Sequence, residues 1–234
     1  MIHPGGIVTI PLRTAKVPEP FLDPFRSAEK TVASYFGSMS LDPTKGTITI
    51  GDERYVLVRA MSLSVHFFEF MKEMYPSFTE GEALEGAGTA LFDMAFAIGR
   101  SDARAFCAKQ GVLDPIAKLS SGPIHFAHTG WAFVDISAES NAVPDEEFLL
   151  IYDHPQSFEA DSWLARGEHT TFCTCHMNAG YSSGWCSESF GLELAAREIQ
   201  CRARGDDACR FVMAPVDRLD SRVSEFLARS ARAA

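Results

Sequence analysis

The stretch REIQCRARGDDACRF, residues 197–211, predicts a β-hairpin that carries two cysteines. Cys201 and Cys209 flank the turn-forming sequence Gly-Asp-Asp, and the flanking segments ELAAREIQCRA and ACRFVMAP are typical of strands. If the loop has three or five residues, the two cysteines lie directly opposite each other. Their Cβ atoms are then roughly 4.5–5.5 Å apart, which suits two thiolates on one metal ion.

A carboxylate and a further thiol lie within reach of this hairpin. Glu198 precedes Cys201 by three positions, and an odd offset along a regular strand points a side chain to the other face. Shared ligation therefore requires a β-bulge or a strand end near Ile199. Cys175, at the predicted start of the preceding helix, can add a third sulfur, because the helix terminus favours a thiolate. Spacing alone leaves a metal site, buried free thiols and a disulfide as alternatives.

Composition bounds the class of protein. The 234 residues are 46% hydrophobic and 22% charged, which is typical of a globular protein. A net charge of −10 argues against a nucleic-acid-binding surface, which needs clustered Lys and Arg. The N-terminus lacks the apolar segment of a signal peptide, and no apolar run approaches the length of a membrane span. We therefore expect a cytoplasmic protein with no membrane partner, in which disulfides rarely persist.

The order of predicted elements indicates an α+β protein, mainly helical in its N-terminal half. Residues 1–25 are rich in Pro and Gly and predict an irregular arm. Residues 26–122 predict a helical half with a β-hairpin at 44–60. Residues 123–215 predict an antiparallel sheet with helices, and 216–234 a terminal linker helix.

More local predictions follow from apolar periodicity. The patterns predict helices over 62–75, 82–111, 158–167 and 175–191, and strands over 124–136 and 146–154. In the predicted strand 124–136, His125 and His128 point to opposite faces. The helix over 175–191 is rich in small residues, which suit close contact with another helix.

Residues 175–215, CHMNAGYSSGWCSESFGLELAAREIQCRARGDDACRFVMAP, resemble the 4-vinyl-reductase-type domain. This domain occurs in the sensor modules of aromatic-responsive NtrC-type activators (the XylR/DmpR group) and in some histidine kinases. The family pattern is a Cys before an x-x-x-x-G-Y segment, then E-x-x-C, then seven residues and a Cys. The resemblance implies a structural zinc held by Cys175, Glu198, Cys201 and Cys209, and a 4-vinyl-reductase/TRAPP-like fold.

Upstream segments resemble the activator-of-aromatic-catabolism part of the same sensors. They are the hairpin at 44–60, the run Gly-Arg-Ser-Asp-Ala-Arg at 99–104 and the segment Gly122-Pro123-x-His. The resemblance implies that 26–122 form a sensor and dimerisation half. It also implies that 123–215 form a zinc-containing, ligand-binding domain.

The resemblance also implies an apolar pocket for a small hydrophobic or aromatic effector. His154 stands where the phenol sensors carry a pocket tryptophan. Their phenol-binding histidine falls at Phe126, or at His125 if the alignment slips by one residue. Tyr181 and Trp185, one helical turn apart, complete the candidate ligand-binding set. For Trp185 a place in the core is the alternative.

The function that the resemblance implies is a regulatory module without catalysis. It would bind its effector as a homodimer and signal to an output domain, either a transcription activator or a histidine kinase. The apolar-dotted arm 1–25 can lie across a second subunit or on its own. Val216, Leu219, Val223 and Phe226, at 3-4-3 spacing, predict either a helix packed on its own domain or a short coiled-coil stub.

Two other functions remain open from the sequence. The domain takes its name from a protein linked to reduction of a vinyl group on a chlorophyll precursor. A stand-alone tetrapyrrole-binding or vinyl-reductase-associated protein is therefore the alternative, although no nicotinamide or flavin motif is present. A redox switch that uses Cys173, Cys175 and Cys186 is a further alternative.

Overall fold

The computed structural model describes residues 12–167 and 169–233, in which helices surround two sheets. The elements of the N-terminal half are β1 (Ala15–Lys16), α1 (Leu22–Phe36), β2 (Met39–Asp42), β3 (Thr47–Ile50), β4 (Glu53–Tyr55), α2 (Val65–Met74), α3 (Glu80–Gln110) and α4 (Pro115–His128). Those of the C-terminal half are β5 (Val134–Ile136), β6 (Leu150–His154), α5 (Phe158–Leu164), α6 (His176–Phe190), β7 (Leu194–Gln200), β8 (Cys209–Pro215) and α7 (Leu219–Ala233). The predicted α+β class is confirmed.

The larger sheet has the strand order β1-β5-β6-β8-β7. Its pairings are antiparallel except for that of β1 with β5, which is parallel. One face of this sheet packs into the main core with α4 and α6. The other face is covered by α7, whose Leu219, Val223 and Phe226 contact a separate apolar cluster. The terminal helix thus packs on its own domain, and a connection from it to an output domain stays a prediction.

Strands β2, β3 and β4 form a separate three-stranded antiparallel sheet. Strands β3 and β4 are the hairpin predicted over 44–60, and β2 extends it on one side. Among the described residues, none of the helices combines the length and the apolar character that a membrane span requires.

Helices α3 and α6 approach each other at backbone distance through glycines. A Cβ atom added at Gly184 would lie 2.1 Å from the carbonyl oxygen of Phe96. A Cβ atom added at Gly99 would lie 2.2 Å from the carbonyl oxygen of Tyr181. The close contact predicted from the small residues of 175–191 is therefore confirmed. It holds α6 tightly against α3.

The predicted strand over 124–136 is wrong for most of its length. Residues 124–128 are the last turn of α4, which begins after the cap Asp114 and continues through Pro123, and strand β5 starts only at Val134. His125 and His128 therefore lie on one side of a helix, with ring centroids 5.0 and 4.8 Å from that of Phe36. Short apolar runs do not distinguish a strand from a buried helix, and here the helix starts well upstream.

The predicted arm is also shorter than expected. Helix α1 begins at Leu22, and its Phe25 is fully buried. Before it, β1 pairs in parallel with β5 of the same chain. The apolar residues Ile7, Val8 and Ile10 lie outside the described residues. The division into 1–25, 26–122, 123–215 and 216–234 stays a prediction, and α4 crosses its boundary at residue 122.

Candidate functional site: a cysteine and glutamate cluster beside an apolar cavity

The hairpin of β7 and β8 contains the bulge that shared ligation requires. Glu198 pairs with Phe211, whereas Gln200 pairs with Arg210, so the register shifts by one residue at Ile199. The bulge turns the Glu198 carboxylate toward the side chains of the two hairpin cysteines. Beyond the bulge the register brings Cys201 opposite Cys209, as the sequence predicted.

The structure brings the four predicted metal ligands together. The ligand atoms of Cys175, Glu198, Cys201 and Cys209 all lie within 4.8 Å of one another. The Sγ atoms of Cys175 and Cys209 are 3.7 Å apart. A tetrahedron around Zn²⁺ with Zn–S bonds of about 2.3 Å has edges of about 3.8 Å. All six cysteines of the chain are free, so the disulfide alternative is not seen.

The Glu198 carboxylate has one unsatisfied oxygen in this cluster. Its Oε2 accepts a hydrogen bond from the backbone N–H of Cys175 at 2.8 Å. Its Oε1 is buried without a hydrogen-bond partner among the described residues. Burial raises the pKa values of Glu198 and of the Cys175 thiol well above their usual range. A cation between these groups would reverse both shifts, so the cluster could hold a metal ion.

Neighbouring residues position the Cys175 end of the cluster. The buried Glu159 accepts the backbone N–H groups of Met177 and Asn178 at 3.0 and 2.8 Å, in the first turn of α6. Burial raises the pKa of Glu159 to about 8. The hydroxyl of Ser157 lies 3.2 Å from the Cys175 Sγ atom. Sequence analysis missed both residues, because a Ser and a Glu at a helix start ordinarily indicate a cap.

An apolar cavity lies between α4, α6 and the sheet. It encloses about 410 Å³ measured to its opening, in the lower part of the range for small-molecule sites. Phe126, Tyr181 and Trp185 line it, as predicted. Leu119 and Tyr152 also line it, together with other apolar residues of α4, β5, β6 and β8. These last two lie in segments where sequence analysis identified no candidate.

Tyr181 joins the cavity to a buried polar network. Its hydroxyl donates to Asp102 Oδ2 at 3.0 Å and lies 3.0 Å from His125 Nδ1. Burial raises the pKa of Asp102 to about 6. His125 is thus behind the cavity wall and does not line the cavity. Asp102 was not predicted as a site residue, although its run at 99–104 carried part of the resemblance.

His154 also lies behind the wall. It is fully buried, and its ring centroid is 5.6 Å from that of Phe126 and 5.3 Å from that of Tyr152. Both its ring nitrogens lack a hydrogen-bond partner among the described residues. A role of His154 in effector binding stays a prediction.

Acid should destabilise the fold through the buried histidines. Burial lowers the pKa of His125 to about 3, so between that value and about 6.5 the unfolded chain binds a proton that the folded chain does not. The free energy of unfolding should therefore fall by roughly 2 kcal/mol per such histidine from pH 7 to pH 5. Urea unfolding at the two pH values should show a smaller fall for His125→Gln than for wild type. The exposed His128→Gln is the control, and equal falls in all three proteins would contradict this account.

Comparison with known proteins places the cluster in a known domain. Residues 160–215 match the family model of the 4-vinyl-reductase domain. All four cluster residues lie inside this match, whereas the cavity also uses α4 and β5, which precede it. The resemblance to aromatic-effector sensor modules is confirmed.

Two relatives extend the likeness beyond the matched domain. The phenol regulator MopR of Acinetobacter guillouiae is 21% identical over 187 residues, which cover 80% of this chain and 32% of the regulator. The chain thus spans about a third of the length of that relative. The phenol-responsive sensory domain of the transcription activator PoxR, solved with phenol, superimposes with a TM-score of 0.68 at 19% identity. The superposition covers 86% of this chain and 96% of that domain and shows a shared fold.

Proposed function

We propose that the chain is a ligand-sensing regulatory module that binds a small hydrophobic or aromatic effector and signals to an output domain. The observation that carries this proposal is the position of α6. The helix begins directly after Cys175 of the metal-ligand cluster, and Tyr181 and Trp185 in its middle line the apolar cavity. One rigid element therefore joins the two sites.

The cluster is proposed to hold a structural zinc ion. Cys175, Glu198, Cys201 and Cys209 supply three sulfurs and one oxygen, and the unpartnered Glu198 Oε1 gives the carboxylate a free ligand atom. When bound, such an ion supplies folding energy and leaves no open position for catalysis. The protein's residues then fix the hairpin β7–β8 to the start of α6.

The cavity is proposed to hold the effector. Its walls are aromatic and aliphatic, and the polar atoms of two wall residues already have partners. The Trp185 indole N–H donates to the Lys118 carbonyl at 2.9 Å, and the Tyr181 hydroxyl is bonded to Asp102. Burial of apolar ligand surface would therefore contribute most of the affinity. We propose a small aromatic molecule without restricting it to phenol.

Thermal denaturation tests this site. Small aromatics such as p-cresol should raise the Tm of the wild-type protein in a concentration-dependent way, because a ligand that binds only the folded state stabilises it. Ser182→Phe, which puts a ring at a cavity-lining position, should abolish the rise. Protoporphyrin serves as a tetrapyrrole probe. A rise with protoporphyrin alone, or an equal rise in the filled variant, would contradict an aromatic effector in this cavity.

We also propose that the module is a cytoplasmic homodimer. Val56, Leu57 and Val58 of the helical half are 73%, 87% and 52% exposed, and a subunit contact would bury such surface. The N-terminal arm is proposed to cross to the second subunit. Since β1 pairs with β5 of its own chain, a crossing segment must precede residue 12.

Deletion of residues 1–11 should therefore shift the protein toward monomer while leaving β1 in place. Sedimentation velocity at micromolar concentration would show the shift. Leu57→Asp provides a second test, since a charge on the exposed apolar segment should oppose association without disturbing the core. If the truncated chain stays dimeric with unchanged dissociation, the arm does not hold the dimer together.

A further inference from the structure

Tyr152 is the central residue of the sheet face that forms the floor of the cavity. Along β6, side chains alternate between faces, so Leu150, Tyr152 and His154 point toward the helices, while Ile151 packs toward α7. Phe211 on β8 pairs with Tyr152, and their rings stack with centroids 5.1 Å apart at 8°. The stacking fixes the direction of the phenol ring.

The Tyr152 hydroxyl is unsatisfied where it stands. It is buried and has no hydrogen-bond partner among the described residues. The polar side chains near it in the cavity lining are few, and Ser182 is the neighbour that affects it. Burial raises the pKa of Tyr152, and Ser182 offsets only part of that effect. A buried donor without a partner costs free energy, so a ligand atom that pairs with it is favoured.

The other aromatic polar groups of the wall differ from Tyr152 in this respect. Tyr181 is bonded to Asp102 and Trp185 to the Lys118 carbonyl, so neither has to be satisfied by a ligand. His154 has unpartnered nitrogens but does not line the cavity. The cavity thus presents one free hydroxyl donor on an otherwise apolar floor.

We propose that Tyr152 is the specificity-determining residue of the cavity, donating a hydrogen bond to a single oxygen substituent on a ligand that is otherwise apolar. This inference rests on the proposed effector-binding function and assigns its ligand class. The chemistry selects compact aromatics with one hydroxyl, ether or carbonyl oxygen over hydrocarbons of the same shape. A hydrocarbon would leave the hydroxyl unpaired or displace a water from it.

The test compares two probes of nearly equal shape, p-cresol and p-xylene, which differ by an OH in place of a CH₃. Isothermal titration of the full zinc-loaded chain should give p-cresol about tenfold higher affinity than p-xylene. Tyr152→Phe should remove this preference and leave the affinity for p-xylene unchanged. Tyr35→Phe is the matched control, because its hydroxyl bonds to Tyr55 away from the cavity lining. This control should keep the preference.

The outcomes separate this inference from the function on which it rests. Equal wild-type affinities for both probes, or a preference that survives in Tyr152→Phe, would overturn the role of Tyr152 while leaving an effector cavity in place. Binding of neither probe would overturn both. If Tyr152→Phe loses affinity for both probes alike, the residue shapes the wall and does not select oxygen.

Discussion

Cys201→Ala and Cys209→Ala should each lose bound zinc and yield little folded protein. Both side chains are fully buried at the end of the β7–β8 hairpin, where their ligand atoms meet those of Cys175 and Glu198. Apparent binding free energies of structural zinc are about 10–16 kcal/mol and are coupled to folding. The total stability of a domain is only about 5–15 kcal/mol, so loss of one ligand can remove most of it.

The matched control is Cys107→Ala. Cys107 is buried in the core of the helical half and is not part of the cluster. Its variant should lose some packing energy and keep one zinc per chain. Metal analysis and circular dichroism of the three variants measure both quantities. Cluster variants that fold with wild-type Tm, or wild type with less than about a tenth of an equivalent of metal, would refute a structural zinc.

Gly184→Ala should destabilise the protein by about 3 kcal/mol, the upper part of the usual range for overpacking. The new Cβ atom would lie 2.1 Å from the carbonyl oxygen of Phe96. A backbone carbonyl in a helix cannot rotate away as a flexible side chain can, so α3 and α6 would have to separate. Separation would also move Trp185 and thereby widen the cavity wall. Urea unfolding gives the loss of stability.

Gly86→Ala on α3 is the control for this substitution. The nearest atom to its added Cβ would be Met71 Cε at 3.8 Å, which is ordinary contact. Alanine favours a helix over glycine by about 1 kcal/mol, so this variant should be stabilised or unchanged. Equal effects of the two substitutions would show that the helices do not depend on glycine contact.

The sequence was sufficient where spacing and chemistry act locally. The turn at Gly-Asp-Asp, the bulge needed at Ile199 and the facing of Cys201 and Cys209 all follow from strand geometry, and the structure has them. Cys175 joined the cluster by resemblance, since nothing in the spacing alone excluded free thiols. The close packing of α6 followed from its small residues.

The sequence was insufficient where tertiary contacts decide. The run 124–128 alternates as a strand would, but the cap at Asp114 starts a helix that runs through it. Tyr152 reads as one more apolar strand residue, and only the three-dimensional structure shows its hydroxyl without a partner. Asp102 likewise reads as a surface residue of α3, yet it is bonded to Tyr181. Such pairings join residues far apart in the chain.

Native mass spectrometry of the protein purified from its own host tests the central claim most directly. The account predicts a complex that carries one zinc ion per chain and a retained small aromatic or hydrophobic molecule. It also predicts a dimeric mass that dissociates on deletion of residues 1–11. A chain without zinc, or one that carries a tetrapyrrole in place of a small molecule, would contradict an effector sensor built on a zinc-fixed helix.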